Sequence, residues 1–134
     1  MRRLIIFFSS TVVLDQLSKY LTAGFGHRVY LNPGISFAWL ANEAQAIVIL
    51  LTFGLIVFLS LKYGYFWAKH PVAAGLFFGG AFSNLIDRLI LGGVRDWIPV
   101  PFLPFQNNLA DLAIFASLIM MIWYLYQGGE NEEF

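Results

Sequence analysis

AIVILLTFGLIVFLSL, residues 46–61, runs without a single ionisable group, as a membrane-spanning helix does. A helix needs about 20 mainly apolar residues to cross a hydrocarbon core of ~30 Å. With Ala44 and Gln45 the stretch extends over Ala44–Leu61, long enough to serve. Working outward, three further runs have the same character: Leu4–Ala23, Pro71–Leu91 and Leu109–Tyr126. The first carries Asp15 and Lys19, the third Asp87 and Arg88. Composition agrees with four spans. Of 134 residues, 59% are hydrophobic and 12% charged, where soluble proteins carry roughly 25% charged residues. A soluble domain of this length cannot cover its surface with so few charges. The expectation is a single membrane domain, residues 1–134, all-α, with four transmembrane helices.

Other classes fall away on the same figures. Net charge is zero and no basic block exists, so the electrostatic footprint of a nucleic-acid binder is missing. Cysteine is absent, which removes disulfides, thiolate metal sites and a cysteine nucleophile. The histidines, His27 and His70, fall on opposite sides of the membrane, so no metal and no cofactor is expected. There is no internal repeat, and the polar tail Gly128–Glu133 is uninformative. Arg2 and Arg3 ahead of an apolar run resemble the start of a signal peptide. The run continues through Asp15 and Lys19 to Ala23, however, and no A-x-A pattern follows it. It is expected to stay in place as the first helix.

Orientation follows from the excess of Lys and Arg on the cytoplasmic side. Four spans put the N-terminus, the 62–70 connection and the C-terminus together, with Arg2, Arg3, Lys62 and Lys69; the opposite loops hold Arg28 and Arg95. Both termini are therefore expected in the cytoplasm. The outer side receives two long connections, Gly24–Glu43 and Gly92–Asn108. They are rich in aromatics, including Phe25, Tyr30, Phe37, Trp39, Trp97, Phe102 and Phe105, as suits a membrane interface. Loops this long are usually functional. Arg28–Leu31 and Ile35–Leu40, flanking the turn Asn32-Pro33-Gly34, are candidates for short strands of a small outer-surface β-sheet. Such a sheet must lie at or above headgroup level, since an open edge cannot face lipid.

All four aspartates, Asp15, Asp87, Asp96 and Asp111, lie in or beside a span near the outer boundary. An ionisable group at the bilayer centre costs at least ~2.5–3.5 kcal/mol, less toward the edge. Four at one level is too costly to be casual. In the first helix Thr11, Asp15, Ser18 and Thr22 make one polar stripe, with Lys19 a turn beyond Asp15. In the third, Gly80, Asn84, Asp87 and Arg88 are read as one face, and Gly75, Gly79 and Ser83 as a row permitting close helix packing. Asn108 and Asp111 point together at the start of the fourth. The second helix has no stripe and reads as a lipid-facing buttress.

Paired charges are the usual way to tolerate burial. Asp15 with Lys19, and Asp87 with Arg88, therefore read first as internal pairs that position helices, the latter two bonding to backbone or to the outer loops. Asp96 and Asp111 have no lysine between them. They are either boundary carboxylates snorkelling to water or a pair sharing one proton, one member a general base and the other a general acid. Spacing alone leaves both open.

At these residues the chain resembles the lipoprotein signal peptidases (signal peptidase II), bacterial membrane aspartic proteases. Asp15-Gln16-Leu17-Ser18-Lys19 is similar to the family's D-x-x-x-K, and Asn32-Pro33-Gly34-Ile35-Ser36-Phe37 to N-x-G-x-x-F. Residues 79–88, GGAFSNLIDR, resemble GGAxGNxxDR, with Ser83 in place of the family's usual Gly. Gly93-Val94-Arg95-Asp96-Trp97 resembles G-x-V-x-D-[FWY]. Asn108-Leu109-Ala110-Asp111 resembles N-x-A-D, with Asn107 where Phe usually precedes it. The segment between the two aspartates is short and holds Pro99, Pro101 and Pro104. The resemblance implies a catalytic dyad of Asp96 and Asp111. It implies that Asn32 and Arg88 help hold substrate, with Gly34 in the same outer-loop motif, and that Asp15, Lys19, Asn84, Asp87 and Asn108 support the geometry. It further implies a substrate already diacylglycerylated on a cysteine and cut just before it, no metal, and a multi-pass place in the bacterial cytoplasmic membrane with the site near the outer face. Membrane lipid is the expected surrounding partner, and the protein is expected to act as a monomer.

Two other classes compete. A proton- or ion-pathway subunit would use the carboxylates as a relay, but a relay needs polar groups through the whole membrane, and the inner half is almost wholly apolar. A non-catalytic scaffold would leave the long aromatic outer loops unexplained.

Overall fold

The computed structural model describes residues 1–25, 28–33 and 41–131. Helix α1 spans Arg2–Gly24, α2 Ala41–Lys62, α3 Gly64–Lys69, α4 Pro71–Leu91 and α5 Leu109–Asn131. The four long helices cover the four apolar runs. The third and fourth runs are α4 and α5, because the 62–70 connection forms the short helix α3. Helices α1, α4 and α5 are long and apolar enough to cross a membrane; in α2 the apolar part is the shorter Ala46–Lys62. Punctuation in the sequence sets the ends of α4. Pro71 opens it, where a missing N–H costs nothing, and Gly92 closes it in the left-handed conformation at φ 75°.

Helix α4 is the hub, packed along α1 on one side and α5 on the other, with α2 leaning on it more lightly. Small residues let the backbones approach. A Cβ on Gly79 would lie 2.8 Å from the Phe8 carbonyl oxygen, and one on Gly80 2.6 Å from that of Ala110. Glycine at these two positions thus sets the spacing of α1 and α5 from the hub. Outward surfaces carry exposed Ile, Leu and Phe side chains along α1, α2 and α5, a surface suited to lipid rather than water.

The interior divides by depth. Near the α3 end Trp67, Ala73, Ala74 and Phe77 form an apolar core. Trp67 stacks on Phe77 at 5.4 Å and donates its indole N–H to the Leu59 carbonyl. His70 stacks on Tyr124 at 3.9 Å, and burial together with the Lys69 charge holds its imidazole below the ordinary value. At the opposite end the core is polar.

The loops at that polar end form two small antiparallel ribbons. Strand β1 (Tyr30–Asn32) pairs with β2 (Val94–Asp96), placing Tyr30 opposite Asp96 and Asn32 opposite Val94. Strand β3 (Ile98–Pro99) pairs with β4 (Gln106–Asn107), and Phe102 sits exposed between them at φ 66°. A strand near 28–31 is therefore present, shifted by a residue or two. Among the described residues its partner is β2, in the second outer connection. Gly93 permits that pairing: a Cβ there would meet the Asn32 carbonyl oxygen at 2.9 Å. Gly34 and the 35–40 stretch lie outside the described residues.

Candidate active site

Lys19 organises the polar core. It is fully buried, and its ammonium reaches Asp15 at 2.6 Å, Asp87 at 3.1 Å and the Asn84 side-chain oxygen at 3.0 Å. Three donors meet three acceptors, so no hydrogen of the buried cation is wasted. Asp15 is equally saturated: one oxygen accepts the Ser83 hydroxyl at 2.7 Å and the other the backbone N–H of Ala110 at 2.9 Å. That second bond brings a carboxylate of α1 to the N-terminus of α5, where unpaired N–H groups and the helix dipole favour negative charge.

Asn108 caps the same helix from its own chain, its side-chain oxygen accepting the backbone N–H of Asp111 at 2.9 Å. Its amide nitrogen donates to Asp96 at 2.6 Å. One buried side chain thus links the Asp96 carboxylate to the backbone of Asp111. The other Asp96 oxygen accepts from Asn32 at 3.0 Å, which ties the acid to β1. Asp111 accepts from Asn84 at 2.8 Å, and Asn84 is in turn held by Lys19. The carboxylates lie near enough for their charges to act on each other.

Arg88 faces this pair. Its guanidinium stands in the field of Asp111, Asp96 and Asp87, and its Nη1 donates to the Asn84 carbonyl at 3.4 Å. Its Nε is buried with no partner among the described residues. Asn84, Arg88 and Asp111 form the polar end of a cavity of about 380 Å³ between α2, α4 and α5, walled further on by Leu55, Leu59, Phe77 and Leu118. Helix α2 is therefore more than a buttress, because its inward residues make one wall of this space. Among the described residues no group of three His, Asp or Glu side chains could hold a metal ion.

Nine of the ten sequence-derived site residues gather here; Gly34 lies outside the described residues. Asp87 and Arg88 do bond to an outer loop and to backbone, as expected, but not to each other. Asp87 bonds to Lys19 and, at 2.7 Å, to Arg95. Neighbouring helical residues point about 100° apart. Asp87 thus continues the row of Gly75, Gly79 and Ser83 toward α1, while Arg88 continues the row of Gly80 and Asn84 toward α5. Ser18 and Thr22, read as part of the first helix's stripe, bond instead to the carbonyls of Asp15 and Ser18. Sequence reasoning missed Gln16 and Arg95, and took Ser83 for a spacer. The usable signal was strand alternation, which turns residue 95 away from 96 and toward α4.

Comparison with known proteins gives the family. Residues 7–127 match the family model for signal peptidase (SPase) II. The lipoprotein signal peptidase of Moorella thermoacetica is 35% identical, over 85% of this chain and 86% of its own length. That of Dehalococcoides mccartyi is 31% identical, with 99% of both chains covered. Two solved structures of bacterial membrane enzymes share the fold. One has a TM-score of 0.71 at 24% identity and covers 99% of this chain and 93% of its own; the other has 0.74 at 23% and covers 93% of each. The chain belongs to the signal peptidase II family.

Proposed function

We propose that this protein is a membrane aspartic endopeptidase that removes the signal peptide from diacylglyceryl-modified prolipoproteins, cutting just before the lipidated cysteine. The observation that carries the reading is Asn108, which ties the Asp96 carboxylate to the backbone of Asp111, while Asp111 itself lines a largely apolar cavity. Family membership supports the same substrate class.

In this account the two carboxylates act together as one acid–base pair. The ionised member takes a proton from water as it attacks the scissile carbonyl. The protonated member donates to the carbonyl oxygen and then gives its proton to the departing amine. Arg88, its Nε buried without a partner among the described residues and its guanidinium in the field of both acids, holds the substrate backbone, and Asn32 fixes Asp96 from the outer loop. The lipid of the substrate lies along the apolar wall made by α2 and α5, where burial contributes ~0.8 kcal/mol per CH₂. Cleavage of a lipidated prolipoprotein peptide by the purified protein is the direct test.

The architecture that goes with this mechanism is one membrane domain with four spans, α1, α2, α4 and α5, both termini in the bacterial cytoplasm and the aspartates near the outer face of the inner membrane, the protein acting as a monomer. Reporter fusions after Lys62 and at the C-terminus should read cytoplasmic, and a fusion near Asn42 external. An external C-terminus would mean an odd number of spans and would contradict the shared depth of the four aspartates.

A further inference from the structure

Asp111 sits in the first turn of a long helix, but Asp96 ends a strand of three residues paired along β1. A two-stranded ribbon is marginal by itself, so the reach of Asp96 toward Asp111 must be set by what grips the strand. Asn108 and Asn32 hold the carboxylate. The backbone is held from the opposite face. Arg95 donates its main-chain N–H to Asp87 at 3.0 Å and its Nη2 to the other Asp87 oxygen at 2.7 Å. The same Nη2 donates to the Gln16 side-chain oxygen at 2.7 Å. Gln16 returns its amide to Asp87 at 3.0 Å and to the Ser83 hydroxyl at 2.9 Å.

We propose that Arg95 and Gln16 are positioning residues for Asp96, clamping the strand that carries it to α1 and α4. The proposal rests on the reading of Asp96 as one half of the acid–base pair. Neither residue lines the apolar cavity, and neither bonds to Asp96 or Asp111, so their loss should act on the chemical step and leave substrate binding alone. Displacing a reacting group by about 1 Å can cost on the order of 100-fold in rate.

The test uses the full chain in detergent, with kcat and KM for a lipidated prolipoprotein peptide and hydrogen–deuterium exchange over residues 93–97. Arg95→Gln should lower kcat roughly 10- to 100-fold at near-parental KM and speed exchange in β2. Gln16→Leu leaves every charge in place and should do the same to a smaller degree, so it carries the test if Arg95→Gln fails to fold. Arg95→Lys keeps the charge without the planar fork and should recover part of the lost kcat. The double variant Gln16→Leu/Arg95→Gln should be no slower than Arg95→Gln, as expected of one unit. Parental kcat with parental exchange in both single variants would overturn the clamp, as would a loss expressed only in KM. A parent protein that does not cut the peptide removes the acid–base role of Asp96 itself. Exchange over 93–97 would then still report whether the clamp holds the strand.

Discussion

Asp96→Asn and Asp111→Asn should each insert and fold like the parent and lose nearly all cleavage. Asparagine keeps the size of the side chain and can still bond to Asn108, Asn32 or Asn84, yet it can neither accept a proton from water nor give one to the departing amine. General acid–base catalysis contributes roughly 100- to 10,000-fold, and the loss in kcat should lie in that range. Because the two acids serve one acid–base step, the double variant should be little worse than either single one. Chelators should leave parental turnover unchanged. Substantial turnover by either single variant, at matched folded protein, would refute the pairing.

Lys19→Met should damage the protein differently. The lysine is wholly buried and bonds to Asp15, Asp87 and Asn84. Methionine fills much of the space but leaves Asp15 without its cation and Asp87 with Arg95 alone, and stranding a buried charge typically costs about 3–5 kcal/mol. The expected outcome is a sharply lower yield of folded protein and a lower melting temperature in detergent, with activity falling along with it. The effect should spread to α5, because Asp15 also holds the N–H of Ala110 and Asn84 also holds Asp111. A Lys19→Met variant with parental melting temperature and no turnover would place Lys19 in the chemistry rather than in the support.

Much of this was legible in the residues because membrane folds write their elements as long apolar runs. The four runs became α1, α2, α4 and α5, with ends set by features such as Pro71 and Gly92. The gathering of Asp15, Asp87, Asp96 and Asp111 at one depth was likewise readable from the cost of charge in lipid. Pairing was not readable. Asp87 and Arg88 are adjacent in sequence, and only the packing of α4 between two helices decides that one turns to α1 and the other to α5. The partner of β1 was hidden for a similar reason: β2 lies more than sixty residues on, and nothing local to Tyr30–Asn32 points to it. Gln16 and Arg95 carry no signature of their own, since their role exists only where α1, α4 and β2 meet.

The central claim is that the polar end of this bundle cuts a lipidated peptide. Purified protein in detergent should be given two prolipoprotein peptides that differ only in the diacylglyceryl group on the cysteine, with the products identified by mass. The account predicts cleavage of the lipidated peptide just before the modified cysteine and little or no cleavage of its unlipidated twin. Equal cutting of both peptides, or no cutting of the lipidated one by protein shown to be folded, would contradict it.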